Sequence, residues 1–253
     1  GGIRSDEADV HHARKKADGR LYYRTIRIDT MTHRHLDEEL AELKTKLVHM
    51  ASLAEDQIDK ALAALVKRDS ALAHRVIEQD HKVNALDVEI DEDCIRLLAL
   101  HQPAARDLRL VTTAMKISTE LERISDLAEN VCERTIELNE EPQLKPYIDI
   151  PRMGNLARIM VKESIDAFVK DDSALARKVL AHDDLVDELM EQIFRELLSF
   201  MIEDPHTITR AIRLSFIAKY IERVADHSTN IAELVVYLVE GKIIRHTSPP
   251  VSS

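Results

Sequence analysis

The pentapeptide DSALA occurs twice in this chain, at Asp69–Ala73 and again at Asp172–Ala176. Each copy lies between two long stretches in which apolar residues recur at intervals of three and four. That spacing is typical of amphipathic helices, and an aspartate directly before such a stretch is a favoured N-cap. The repeat therefore predicts the same helical hairpin at two places in the chain.

The duplication extends beyond the turn. At the same offset of 103 residues, the matching positions are Val76 and Val179, Asp80 and Asp183, Val83 and Val186, Leu86 and Leu189, and Ile90 and Ile193. Pro103 and Pro205 then precede a third helical stretch in each copy. Because short connections favour antiparallel neighbours, we expect an all-α protein made of two tandem pseudo-symmetric three-helix bundles.

Composition supports long helices. The chain has 253 residues, of which 45% are hydrophobic and 4% aromatic, with only five glycines and seven prolines. A β-rich chain of this length would need many more turn residues. The domain boundaries that we predict are a disordered or added leader at 1–30, a first bundle at 31–140, a linker at 141–151, a second bundle at 152–241 and a mobile tail at 242–253.

Charge and cysteine usage exclude several classes of protein. The net charge of −11 argues against a nucleic-acid partner, which would require a basic surface. No apolar run approaches the ~18–20 residues of a membrane span, so we expect no direct membrane insertion. Cys94 and Cys132 lie in apolar helical patterns, which predicts buried free thiols in a reducing compartment. We therefore expect a cytoplasmic protein.

Polar residues on the third helix of each copy are repeated although their surroundings have drifted. The segments are ERISDLAEN at 122–130 and ERVADHSTN at 222–230. Each places a Glu, an Asp and an Asn at i, i+4 and i+8, on one face of a helix. The residues concerned are Glu122, Asp126, Asn130, Glu222, Asp226 and Asn230.

A cation site needs oxygen ligands from more than one helix, and the preceding hairpin arm offers them. Asp183 and Asp187 form a D-x-x-x-D pair, whereas the first copy has Asp80 followed by Asn84. Carboxylate and amide oxygens suit hard divalent cations. The sequence thus predicts two carboxylate-rich metal sites, one in each bundle, with Asn84 replacing one carboxylate of the first.

Two other interpretations of the acidic face remain open. A plain helical scaffold would pair the carboxylates with Arg123 and Arg223. A di-iron carboxylate enzyme would need two helical E-x-x-H motifs, and only Glu78–His81 supplies one. No nucleophile has a base at a recognisable spacing, and no glycine-rich phosphate loop is present. We therefore expect a protein that is not an enzyme.

The paired acidic segments, the repeated turn and the stretch DHKVNALDVEIDEDCIRLLALHQPAARDLR from Asp80 resemble the PhoU family of phosphate-signalling regulators. The resemblance covers the chain from about Leu36 to Glu240. It implies two three-helix bundles whose E/D-x-x-x-D motifs hold divalent metal, with iron, zinc, manganese and magnesium as the candidates. Carried over by position, the motifs are Glu122–Asp126, Glu222–Asp226 and Asp183–Asp187.

The resemblance also implies a role and partners. PhoU-like proteins are cytosolic adaptors that act as negative regulators of phosphate-starvation genes. The expected partners are the ATPase subunit of the Pst phosphate ABC transporter and the phosphate-sensing histidine kinase. We also expect a homodimer.

Overall fold

The computed structural model describes the backbone of residues 6–244 and the side chains of residues 35–244. The helices within this range are α1 Asp6–Lys67, α2 Ser70–Gln79, α3 His81–His101, α4 Ala105–Asn139, α5 Asp149–Lys170, α6 Ser173–Glu203 and α7 Ile208–Glu240, with a 3₁₀ turn at Pro205–Thr207. No strand occurs in this range. The predicted all-α class is confirmed.

A helical arm of the first bundle is interrupted where one continuous helix was predicted. Asp80 separates α2 from α3, and its N–H donates to the carbonyl of Ile77, three residues earlier, at 3.3 Å, as in a 3₁₀ turn. The backbone of Asp80 is itself right-handed helical, at φ −57° and ψ −37°. The α2–α3 segment is therefore one interrupted arm, and residues 6–244 form six arms, three in each bundle.

The DSALA turn has the same geometry in both bundles. Arg68 and Asp171 adopt left-handed φ values of 55° and 50° at the end of the preceding helix. The side chain of Asp69 then accepts from the N–H of Leu72 at 2.9 Å, and Asp172 accepts from the equivalent Leu175 at 2.9 Å. The predicted aspartate caps are confirmed, and each satisfies a backbone donor that the helix cannot pair internally.

The centre of the molecule is formed by α4 and α7. These helices pack against each other, and each also contacts two arms of its own bundle; α1 and α5 form a second contact between the bundles. Gly154 on α5 permits this second contact, because a Cβ there would lie 2.6 Å from side-chain carbons of Leu62. The two acidic segments therefore lie on the most enclosed helices of the protein.

The start of the chain differs from the sequence-based expectation. α1 begins at Asp6, so its helical backbone includes most of the stretch 1–30 that we predicted as a leader. Between the bundles, α5 begins at Asp149 and contains Pro151 within its first turn, where proline is tolerated. Residues 1–5 and 245–253, including most of the predicted tail, lie outside the described residues.

Both cysteines are free and buried, as the apolar pattern predicted. Burial raises the pKa of each thiol to about 12, so neither forms an appreciable thiolate at neutral pH. Over the described part of the chain, no helix has the length and apolar character required to cross a bilayer.

Candidate functional site

A carboxylate cluster in the first bundle lies where α4 passes the break between α2 and α3. One side-chain oxygen from each of Asp80, Asp126 and Glu129 lies within 4.8 Å of the other two. Asp80 is buried, whereas Asp126 and Glu129, both on α4, are partly exposed. We call these three residues the first cluster.

Hydrogen bonds fix the position of Asp80. The hydroxyl of Ser125 donates to Asp80 Oδ1 at 2.6 Å, and the amide of Asn84 donates to Asp80 Oδ2 at 2.7 Å. The side-chain amide of Gln57 on α1 lies 2.5 Å from the same hydroxyl. Three helices thus orient one buried carboxylate, and Asn84 serves here as a donor to Asp80.

The charges of the first cluster oppose one another. Burial, and then the charge of Asp80, raises the pKa of Asp126 and of Glu129. The pKa of Glu122 is also raised, by burial and by the charge of Asp126. Arg123 lies 3.4 Å from both Glu122 and Asp126 and opposes these shifts from the exposed side. The arginine salt bridges that the scaffold interpretation requires are therefore present in the first bundle. The three convergent carboxylate oxygens lie beside them.

The second bundle places Asp183 and Asp187 of α6 beside Glu222 and Asp226 of α7, which we call the second cluster. Burial, followed by the charges of Asp187 and Asp226, raises the pKa of Asp183 to about 6. The pKa values of Asp187 and Asp226 are raised by burial and by the charge of Glu222. The helices therefore bring all four predicted carboxylates of this copy within electrostatic reach of one another.

Lys219 distinguishes the second cluster from the first. Its ammonium group forms an ion pair with Glu222 and lowers the pKa of Asp187 and of Asp226. The matching residue of the first copy is Thr119. The second cluster thus contains a cation supplied by the protein, whereas the first has only Arg123 at its exposed edge.

The two asparagines of the repeated segments have different contacts. Asn130 donates to the backbone carbonyl of Asp126 at 2.7 Å, within its own helix. Asn230 donates to Glu120 of α4 at 3.1 Å, and His227 lies 2.6 Å from the same carboxylate. Asn230 and His227 therefore link the two bundles, and a ligand role for either asparagine stays a prediction.

Sequence comparison between the copies missed three residues of the first cluster and its support. Glu129, Ser125 and Gln57 correspond to Thr229, Ala225 and Met160 in the second copy. The comparison identified only polar residues that occur at matching positions of both copies, so it did not identify residues present in one copy alone. The position of Glu129, three residues after Asp126 on the same helical face, was the available signal.

The first cluster has the chemistry and spacing of a divalent-cation site. Divalent cations bind oxygen ligands at about 2.0–2.6 Å, so ligand atoms on opposite sides of an ion are roughly 4–5 Å apart. Three oxygens within 4.8 Å fit that requirement without large movement. Carboxylates alone suit Mg²⁺, Mn²⁺, Ca²⁺ or iron better than a thiolate-preferring ion.

Replacing Asp183 with Asn should stabilise the metal-free protein at pH 7.5. The folded pKa of about 6 exceeds the ordinary aspartate pKa of 3.8, so the contribution of Asp183 to stability is present below pH 3.8 and is lost as pH rises through 6. An amide avoids the cost of burying the charge. We expect the free energy of unfolding to increase by about 1 kcal/mol at pH 7.5, after allowance for solvent screening.

Urea unfolding in the presence of a chelator, at pH 7.5 and near pH 4.5, measures this effect. The increase in the free energy of unfolding should be smaller near pH 4.5 than at pH 7.5. Asp184→Asn is the matched control, since Asp184 is the exposed neighbour of Asp183 and should give a smaller change. Equal effects of the two variants at both pH values would contradict the assignment.

Replacing Ser125 with Ala, the residue at the matching position of the second copy, should lower the free energy of unfolding. The change leaves Asp80 buried with one donor fewer, which costs about 1–3 kcal/mol. Urea unfolding at pH 7.5 measures the loss, and Ser164→Ala is a control, because Ser164 donates only to the carbonyl of Val161 in its own helix. A loss for Ser125→Ala no larger than for the control would show that this bond does not support Asp80.

The chain is similar to known proteins both in sequence and in structure. A PhoU domain is recognised at residues 47–135 and again at 150–235. The chain is 47% identical over 211 residues to the phosphate-specific transport system accessory protein PhoU homolog of Aquifex aeolicus, covering 83% of this chain and 96% of the relative. It is 40% identical over 225 residues to the PhoU homolog of Pseudomonas aeruginosa, covering 87% of this chain and 93% of that protein.

Crystal structures agree with the sequence matches. PhoU from Pseudomonas aeruginosa superposes with a TM-score of 0.79 at 40% identity, covering 81% of this chain and 99% of that one. The phosphate transport system regulatory protein PhoU from Streptococcus pneumoniae gives a TM-score of 0.78 at 30% identity, covering 83% and 99%. The two matched domains coincide with the two bundles. This chain belongs to the PhoU family.

Proposed function

We propose that this protein is a cytoplasmic, non-enzymatic adaptor of phosphate uptake and phosphate-starvation signalling. In this role it links the ATPase subunit of the Pst transporter to the phosphate-sensing histidine kinase and acts as a negative regulator. It does so as a homodimer, with divalent cations bound at its carboxylate clusters. The observation that carries the proposal is the match to a PhoU homolog over 96% of that relative's length.

The names of the relatives support an accessory role. The Aquifex and Pseudomonas proteins are described as accessory proteins of the phosphate-specific transport system, and the Streptococcus protein as a regulatory protein of phosphate transport. An adaptor requires a rigid body with separate surfaces for its partners, and two joined helical bundles provide one. Its activity is then binding, which needs no reactive side chain.

The geometry of the first cluster supports the cation-binding part. A bound cation would neutralise the carboxylates of Asp80, Asp126 and Glu129, whose mutual repulsion opposes folding. Asp80 belongs to the α2–α3 arm and the other two belong to α4, so a shared ion would cross-link two helices. At the second cluster the ammonium group of Lys219 already supplies part of this neutralisation, and we expect weaker cation binding there.

Elemental analysis after dialysis tests the cation site. Asp126→Asn combined with Glu129→Gln should remove most of the bound divalent metal, because it removes two of three convergent carboxylates. Glu222→Gln combined with Asp226→Asn is the matched pair in the second bundle and should remove less. Wild-type metal content in the first double variant would refute the site.

Binding assays test the adaptor role. The full-length chain should retain both the transporter ATPase subunit and the cytoplasmic part of the sensor kinase in a pull-down. A second helical-bundle protein of similar charge serves as the control. Retention of neither partner, at high phosphate and with divalent cation present, would refute the adaptor assignment.

A further inference from the structure

Lys219 of α7 lies at the border of the second cluster. It is one helical turn before Glu222 and two turns before Asp226, so the three side chains lie along one face of α7. Its ammonium group forms an ion pair with Glu222, whose side chain is 16% exposed. The same positive charge lowers the pKa of Asp187 on α6 and of Asp226 on α7. One cation of the protein therefore acts on carboxylates from both helices of the cluster.

The cation beside the first cluster, Arg123, acts on its own helix. It lowers the pKa of Glu122 and of Asp126, which are its neighbours on α4. The pKa of Glu129 is raised by burial and by three neighbouring carboxylates. The negative charge of the first cluster is thus balanced from its exposed side, whereas a lysine bridges the two helices of the second.

The repeat shows which residue makes this difference. At the position of Lys219 the first bundle has Thr119. The hydroxyl of Thr119 donates to the carbonyl of Met115 in its own helix and contributes no charge. A neutral side chain therefore replaces the lysine at the same place in the fold.

A divalent cation bound at the second cluster would contact the oxygens that the ammonium group of Lys219 now neutralises. Divalent cations bind carboxylate oxygens at about 2.0–2.6 Å, and the ammonium group already contacts Glu222. Two positive charges at such short range repel each other, most strongly where the site is partly shielded from water. The ion and the ammonium group therefore compete for the same carboxylates.

Lys219 has room to leave the cluster. Its side chain is 52% exposed and borders an open groove of about 410 Å³ between α6 and α7. Met190, Phe194 and Phe216 also line this groove. The methylene stem of the lysine can lie along these apolar side chains while its ammonium group reaches water. Rotation of one exposed side chain therefore vacates the carboxylates without movement of a helix.

We propose that Lys219 is a built-in counter-cation that competes with divalent metal for the second cluster and is displaced when metal binds there. This assignment rests on the cation-binding part of the proposed function and attributes the weaker site to one displaceable side chain. The second bundle then joins α6 to α7 through a lysine where the first bundle uses a bound ion. Positions 119 and 219 decide which bundle binds metal.

Titration with Mn²⁺, followed by the electron paramagnetic resonance signal of the free ion, tests the exchange. Both proteins to be compared carry Asp126→Asn with Glu129→Gln, so that the second cluster is the site measured. Adding Lys219→Thr, the residue of the first bundle, should raise the affinity for Mn²⁺ about 10-fold or more, because one repelling charge is lost. Lys219→Arg keeps the charge and should bind Mn²⁺ as weakly as the protein with the lysine.

Lys178→Thr is the matched control. Lys178 lies on α6 of the same bundle, is 54% exposed and forms an ion pair with Glu163, outside the cluster. Its loss changes the net charge by the same amount, so it measures the general effect of charge on Mn²⁺ binding. An affinity that Lys219→Thr leaves unchanged, or that Lys178→Thr raises equally, would overturn the proposal. Circular dichroism should show that each variant is folded.

The reciprocal exchange leaves the second bundle intact. Thr119→Lys places an ammonium group one turn before Glu122 and should lower the Mn²⁺ affinity of the first cluster about 10-fold or more. Thr45→Lys is the control, since Thr45 is likewise exposed and donates to a carbonyl of its own helix, α1. Unchanged Mn²⁺ binding in Thr119→Lys would count against the proposal even if the Lys219 variants failed to fold.

Two results distinguish the role of Lys219 from the cation site of the proposed function. If wild type binds no Mn²⁺ but the chain with Lys219→Thr does, the proposed first site fails and the role of Lys219 stands. If wild type binds Mn²⁺ at the first cluster and Lys219→Thr does not strengthen binding at the second, the role of Lys219 fails and the first site stands.

Discussion

The enclosure of α4 and α7 is the constraint on which the rest of the structure depends. Each of these helices contacts two arms of its own bundle as well as the other central helix. A polar side chain on them therefore costs free energy unless it finds a partner inside the protein or reaches one of the few seams that open to water. Hydroxyl groups solve this locally: Ser118, Thr135 and Ser228 each donate to a carbonyl of the preceding helical turn.

Carboxylates cannot use that solution because they have no proton to donate at neutral pH. The carboxylates on α4 and α7 lie at the seam with the preceding arm. At this seam the environment of the matching aspartate differs between the two bundles. Asp80 accepts hydrogen bonds from Ser125 and Asn84. Asp183, at the matching position, has the pKa raised to about 6 by burial and by neighbouring carboxylates. The two bundles have kept the acidic residues and diverged in how the negative charge is balanced.

Much of the fold follows from local sequence signals. The DSALA turns combine an N-cap aspartate with apolar spacing on both sides, and each signal acts within a few residues. The break at Asp80 had no such signal, since the neighbouring residues include neither proline nor glycine. The helix through residues 6–30 was also missed, because the segment lacks an apolar period.

The candidate site was predictable in part. The repeat identified Asp80, Asp126, Glu222, Asp226 and the Asp183–Asp187 pair, and the structure brings these into two clusters. It could not identify Glu129, because a residue present in one copy alone leaves no trace in a comparison of the two copies. The i, i+3 spacing of Lys219 and Glu222 on α7 was an available signal for their ion pair. The effect of Lys219 on Asp187 could not be foreseen, since it depends on the packing of α7 against α6.

The break between α2 and α3 has a consequence for genetics. Asp80 is at once a member of the first cluster and the residue at which the arm changes from one helix to the next. Its side chain also accepts the hydrogen bonds of Ser125 and Asn84, so a substitution there changes the packing around the break and the charge of the cluster together, and its phenotype reports a mixture. Asp126 and Glu129 lie within an unbroken helix. Alleles at those two positions separate the role of the carboxylates from the shape of the arm.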